Sequence, residues 1–538
     1  MNKFYLLFLF FLLIQVSYTQ TVQDKVDSAT IAQIREEGLN NSEVMDILSY
    51  LTDVYGPRLA GSPGYFAAAN WVRDKLKEIG LENAHLESWG PWGKGWTLKK
   101  YSANVIGRQN FPLISYPKAW SPGINKTGDI IYFNAKTDSA VNTFRGKLKG
   151  KYVLFDETTK IEPPFEPLAE RQADSTLLKL ANADYRRPRS WRYDRRSPEM
   201  MQRALVNYHK MELCEKEDVA GILNISRGDG GNIFVGSASR PMHPDSPWTR
   251  SVPIYSEKSP KIIPQIAVSA EHYNRMVRML EKGEKLKLQV ELEVAFNRSD
   301  SGYNIIAEIP GTDLRDEVVM VGGHFDSWHG GTGATDNAAG CAASIEAMRI
   351  IKKLNLKPRR TIKIALWDAE EHGFLGSRGY IRKHLVKASD SSSSSREEKI
   401  NYTPEGEKFS VYFNLDNGAG KIRGVYLQGN EAVRPIFRSW LRPFNDLGAA
   451  TLTILNTGGT DHQAFDQVGL PAFQFIQDEL DYSSRTHHST MDLYERVPEE
   501  DLKQAATIIA AFIYNAAMID EKIPRKQLTP TRSQVPAN

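Results

Sequence analysis

Histidines and carboxylates recur in this chain where apolar runs end. In VGGHFDSWHGGTGATDNAAG, residues 321–340, His324, Asp326 and Asp336 surround a glycine-rich loop between a strand-length apolar run and a helix start. Glu370 and Glu371 close the run TIKIALW, Asp416 follows SVYFNL, and His488 falls in SRTHHSTMDLY after the last run. An acid at one strand end is ordinarily a solvated turn residue; two histidines and five carboxylates at successive ends form a candidate site. Imidazole and carboxylate without thiolate suit zinc or another borderline divalent ion. The set fits two ions about 3.5–4 Å apart sharing one carboxylate, and Asp336 has the loop freedom to bridge them. Other chemistries lack their residues. There is no His-Glu-x-x-His helix and no Gly-x-Ser-x-Gly elbow, and GGTGAT lacks the Lys-Ser/Thr of a phosphate loop.

The elements that must position these groups follow from the pattern. From about residue 300, EVVMVGGHFD, RTIKIALWDAEE, FSVYFNLDN, TLTILNTG and LPAFQFIQ alternate with helical patterns such as 337–354 and 376–386. Continuous apolar strands between helices predict an α/β sheet covered on both faces, with ligands bound outside the carboxyl ends of its strands. Residues 40–90 give two helical patterns joined by a Pro/Gly loop at 56–64. Residues 105–295 differ, with short β-like runs (TGDIIYF, GKYVLFD, VAGILNI, IPQIAVS) among proline-rich and charged stretches. They read as an inserted domain, which leaves a discontinuous α/β domain at 20–104 and 296–538. ASDSSSSSREEK, residues 388–399, reads as a low-complexity surface loop. QAATIIAAFIYNAAMI reads as a buried helix started by Pro498, with Glu499, Glu500 and Asp501 in its first turn.

A length of 538 residues implies more than one domain, and 41% apolar with 25% charged residues is ordinary for a chain with a core. The net charge of +3 gives no support for a nucleic-acid partner. MNKFYLLFLFFLLIQVSYTQ has Lys3, an apolar stretch from Phe4 to Val16, then Ser17 and Thr19. That is the layout of a signal peptide over residues 1–19, implying export to the periplasm or outside the cell. The stretch is short for a span of about 20 residues, so no stable membrane insertion is expected. Cys214 and Cys341, the only cysteines, fall in different expected domains and are not expected to bridge.

Taken together, His324-x-Asp326, Asp336-Asn337, Glu370-Glu371, Asp416 and His488 resemble the co-catalytic zinc exopeptidases. That family includes bacterial leucyl aminopeptidases, carboxypeptidase Q and the glutamate carboxypeptidase–transferrin receptor branch. GPRLAGSPGYFAAANWVRDKLKEIGL is similar to its N-terminal helix region, and GGTDHQAFDQVGLPAF to its Ser/Thr-Asp-His loop. YVLFDE…GILNISR…IPQIAVSAEHYNRMVRML is similar to the protease-associated domain often inserted there. DNAAG…LKPRRTIKIALWDAEEHGFLGSRGY looks closest to the carboxypeptidase Q branch.

The resemblance implies a mixed sheet sandwiched by helices, an inserted β-rich protease-associated-like domain, and two zinc ions per chain. His324 and Asp416 would hold one ion, Glu371 and His488 the other, with Asp336 bridging. Glu370 would be the general base for a metal-activated water. Asp326, two residues beyond His324 along a strand, would accept the imidazole N–H. Both His487 and His488 are available as the late ligand; the spacing to Asp492 and the resemblance favour His488. His487, where many relatives carry tyrosine, is a candidate oxyanion donor. Asp461 and His462 match a loop near the active site, with substrate contact and loop support both open. His329 and His372 read as surface or supporting histidines. In the basic segment 184–203, Arg186 and Arg189 read either as part of a solvated insertion or as a clamp for a peptide carboxylate. The function expected is an exported two-zinc exopeptidase acting on short peptides or dipeptides. Carboxypeptidase-like or dipeptidase polarity is favoured by the resemblance, with a broad aminopeptidase as the alternative. Rivals of another class are a non-catalytic receptor-like protein and a single-zinc glutaminyl cyclase.

Overall fold

The apolar runs become strands whose alternate residues feed two cores. Along Leu314–His324, Val319 and Val321 pack into one cluster while Met320 packs into another. Ile364 and Leu366 divide in the same way from Ala365 and Trp367, and Val411 and Phe413 from Tyr412. A strand with both faces buried can be apolar at every position, so these runs show no alternation of polarity. The computed structural model describes residues 26–185, 197–246, 252–387 and 400–526. The expected leader at 1–19, the run at 388–399, and Arg186 and Arg189 lie outside the described residues.

The first sheet has eight strands in the order Glu82–Gly90, Gly302–Ile309, Arg360–Trp367, Leu314–His324, Phe409–Asn414, Ala472–Gln477, Ile422–Tyr426 and Thr451–Thr453. Leu314–His324 runs parallel to both its neighbours, and Phe409–Asn414 runs parallel to Ala472–Gln477. The carboxyl ends of these central strands therefore open on one edge. Antiparallel pairings lie towards the margins, and the sheet is mixed. Helices Ser28–Asn40, Ala339–Lys353 and Glu499–Met518 pack together over one face. The last of these begins after Pro498 with three acids in its first turn, as expected. Its buried Gln504 exchanges two hydrogen bonds with the backbone of Ile422, so a polar residue within an apolar helix is satisfied by the strand next to the sheet's last. No helix among the described residues is long and apolar enough to cross a membrane.

The chain leaves this sheet after Gly90 and returns at Gly302. Between them, eight strands form a second mixed sheet, led by the long antiparallel pair Gly93–Ile106 and Lys287–Ser299. Cys214 and Cys341 are buried and unbridged. Aromatic residues fill the junction of the two sheets. Trp89, Trp92, Trp96 and Trp120 pack there with Trp328 and Tyr255.

Candidate metal centre

Asp336 stands between two imidazoles. Its Oδ1 is 3.2 Å from Nε2 of His324 and its Oδ2 is 3.3 Å from Nε2 of His488. His324 ends its strand and Asp416 follows the neighbouring strand, which brings Asp416 Oδ1 within 3.4 Å of the same Nε2. Glu371 Oε2 lies 2.9 Å from His488 Nε2 and accepts the Trp328 indole N–H at 2.7 Å. Residues 367, 414 and 477 end parallel strands at this edge, so the approach of groups distant in sequence follows from strand direction.

The Asp336 loop is held from behind. Gly333 adopts φ 68°, and a side chain there would meet Cβ of Ser327 at 2.3 Å. The carboxylate of Asp492 accepts the Thr335 N–H at 2.6 Å, the Thr335 hydroxyl at 2.8 Å and the Asp336 N–H at 3.2 Å. Arg58, fully buried, donates to the carbonyls of Phe325, Leu51, Thr332 and Gly333 at 2.8–3.0 Å. The Asp336–Asn337 peptide is cis. His488 sits at φ 62°, a conformation uncommon for a residue with a side chain, as happens where a fold holds a functional group.

Asp326 differs from expectation. The strand stops at His324, so residue 326 lies in the following loop and not further along the strand. His324 Nδ1 is 2.9 Å from the Asp326 carbonyl and 3.7 Å from its carboxylate. That contact still turns Nε2 towards Asp336 and Asp416. The Asp326 carboxylate instead accepts the Glu370 N–H at 3.0 Å. Ala369 at φ 55° starts the tight turn in which Glu370 and Glu371 diverge.

The electrostatics call for cations. Burial pushes the Glu370 carboxyl well above its ordinary range, and Asp416, Glu371 and Asp461 add to that rise. Burial, then the charge of Asp336, lifts Glu371 to about 7. Burial opposes charge on His488, yet Glu371 and Asp336 raise it to about 9. Glu371 Oε1 and Asp326 Oδ2 are buried with no hydrogen-bond partner among the described residues. Ligand atoms of His324, Asp336 and Asp416 lie within 4.8 Å of one another, as do those of Asp336, His487 and His488. A buried surplus of carboxylate with oxygen and imidazole donors is the arrangement that divalent zinc fits.

The remaining expected residues divide. Asp461 is buried, takes the Ser377 hydroxyl at 2.6 Å, and is raised to about 7 by burial. His462 packs elsewhere, with Nε2 2.7 Å from the Gln428 amide and 3.2 Å from the Thr457 carbonyl. The His487 ring lies 3.8 Å from that of His488. His329 is buried, with Nε2 2.8 Å from the Pro117 carbonyl, and His372 is enclosed by Trp92, Trp120, Tyr255 and Trp328. Three residues that position the site, Arg58, Trp328 and Asp492, were not marked for that purpose by their spacing. Tyr482 joins them, its phenol kept un-ionised by burial and by Asp336, Asp416 and Glu371.

Residues 304–513 match the model of peptidase family M28. Carboxypeptidase Q of Mus musculus is 26% identical, the alignment covering 98% of this chain and all of that protein. The structure of a peptidase M28 precursor from Shewanella amazonensis superposes with a TM-score of 0.64 at 24% identity, covering 93% of this chain and 99% of that one. A zinc aminopeptidase from Bacillus subtilis superposes at 0.53 with 17% identity, over 89% and 96% of the two chains. Both structures share the helix-sandwiched mixed sheet.

Proposed function

We propose that this chain, whose residues 304–513 match the model of peptidase family M28, is an exported two-zinc exopeptidase acting on short peptides or dipeptides. The observation that carries the reading is the Asp336 carboxylate, whose two oxygens lie 3.2 and 3.3 Å from two different imidazoles. In this reading His324 and Asp416 would hold one zinc and Glu371 and His488 the other, with the Asp336 carboxylate available to both. When bound, the zinc pair supplies a water of lowered pKa and a Lewis acid for the scissile carbonyl.

The protein's own groups do the rest. Glu370, aimed by its N–H bond to Asp326, takes the proton of the attacking water and returns it to the leaving amine. Trp328 fixes one oxygen of Glu371. His487 and Tyr482 are candidate donors to the tetrahedral oxyanion. Export rests on the leader pattern of residues 1–19. The likeness to carboxypeptidase Q over nearly the whole chain favours substrates with a free carboxylate, and aminopeptidase polarity is the alternative. We read the second sheet as a protease-associated-like insertion, with residues 91–301 bounded by the strands of the first sheet.

Glu370→Gln tests the assignment. Turnover of a dipeptide should fall by at least about 10²–10⁴-fold, while zinc measured by elemental analysis stays at the wild-type level. Loss of metal together with activity would place Glu370 among the ligands instead.

A further inference from the structure

The second sheet has a parallel core of its own. Strands Ile124–Tyr132, Tyr152–Leu154, Gly221–Ile225 and Gln265–Val268 lie side by side and run in one direction. In sheets of this kind ligands bind outside the carboxyl ends of the strands. Beyond the first two of those ends, helix Pro198–Lys216 shares a core with Phe133 and Phe155 through Val206, Met211 and Cys214. A cavity of about 820 Å³ opens between residues 133–136, residues 155–159 and the face of this helix from 198 to 210. None of its lining residues belongs to the metal centre.

Lys210 is the buried cation of this cavity, only 4% exposed. Its ammonium donates to the Phe155 carbonyl and lies 5.0 Å and 4.4 Å from the ring centres of Phe133 and Phe155. Among the described residues no carboxylate pairs with it. Asp156 spends its Oδ2 on the Ile225 N–H at 2.9 Å and the Asn224 amide at 3.0 Å, and Glu157 pairs with Lys136 at 3.0 Å. Burial pushes the ammonium down to about 8, with Asp156 holding it up, so it keeps its charge at neutral pH. A buried charge is ordinarily paired, and two N–H donors of this ammonium are left over. One and two turns earlier on the helix, Asn207 and Arg203 line the same cavity, and neither side chain has a hydrogen-bond partner among the described residues. The exposed Glu199 stands a further turn out, which leaves one unpaired acid against two unpaired cations.

We propose that this cavity is a second binding site, which takes a small dicarboxylic acid with one carboxylate on Lys210 and the other on Arg203. A carboxylate supplies the acceptors that the ammonium lacks, and a charge-assisted bond of this kind is about twice as strong as a neutral one. The volume lies within the range of about 300–1,000 Å³ that small-molecule sites occupy. Residues 203 and 210 are separated by about 10 Å of helix rise. Two long side chains leaning towards each other across that interval match the ends of an acid such as glutarate or adipate, with the Asn207 amide between them. The site stands whatever the metal centre hydrolyses.

Titration calorimetry on the purified, zinc-loaded protein tests this with glutarate, adipate and acetate, and with glutaramide as the neutral control. Glutarate or adipate should bind saturably and more tightly than acetate, and glutaramide should not bind. Lys210→Met, which keeps the bulk and removes the charge, should weaken the dicarboxylate about 10- to 100-fold. Arg203→Gln, a change at an exposed position, should weaken the dicarboxylate and leave acetate as it was. Dipeptide turnover and thermal unfolding should stay at the wild-type level in both variants. Acids that bind Lys210→Met as tightly as wild type would be bound at the metal centre, and the proposal would be overturned. Absence of saturable binding by glutarate and adipate, or equal binding of glutaramide, would overturn it as well. Should Lys210→Met fail to fold, Arg203→Gln decides alone, and an unchanged affinity for both dicarboxylates would be the contrary result.

Discussion

Trp328 and Asp492 show how single residues hold the centre in place. Asp492 aims two N–H groups of the Asp336 loop, and the Trp328 indole N–H selects one oxygen of Glu371. Groups that orient ligands typically account for 10- to 100-fold in metal affinity. Trp328→Phe, which keeps the aromatic bulk and removes the donor, should weaken zinc binding by about that factor in a chelator-competition titration. Unchanged affinity would show that His488 and the backbone orient Glu371 unaided. At this scale the chemistry-bearing residues were legible because each sits at the end of its own apolar run. Arg58 was not, because its four carbonyl acceptors lie on segments far apart in the chain. Asp326 reaches His324 from a loop and not from the strand for a local reason, since the strand ends at His324.

Strands and helices explain why the ring of side chains forms at all. Four parallel strand ends and the helix that follows Asp336 converge on one edge, and apolar runs were enough to locate those strands. Their order was not legible, because pairing depends on partners far away in sequence. Expected divisions at 104/105 and 295/296 fall inside Gly93–Ile106 and Lys287–Ser299, since a strand's composition does not say which sheet it joins. The outer edge of the first sheet carries a separate, testable charge. His384 lies 2.9 Å from Glu87 and 3.3 Å from Glu405. Hydrogen bonds to Glu405 and Glu87 raise it to about 9. A histidine raised by folding stabilises the protein fully below its unfolded pKa of about 6.5 and loses that contribution as pH rises through about 9. His384→Gln should therefore cost about 1–3 kcal/mol near pH 6 and little at pH 10, as measured by denaturant unfolding. An equal cost at both values would assign the effect to packing against Tyr380.

At the scale of the whole molecule, the inserted sheet is joined to the chemistry. Its backbone binds the His488 loop, its Arg227 donates to the His487 carbonyl, and its Trp120 and Tyr255 enclose His372 beside Glu371. The sequence marked an insertion through its change of composition, but nothing in that composition shows that the insertion lies against the metal site. The account depends on a pair of ions held across Asp336. Anomalous diffraction at the zinc edge, from crystals of the purified protein, tests that directly. The account predicts two peaks about 3.5–4 Å apart, one against His324 and Asp416, the other against Glu371 and His488, with Asp336 touching both. A single peak, or two that leave Asp336 uncoordinated, would contradict it.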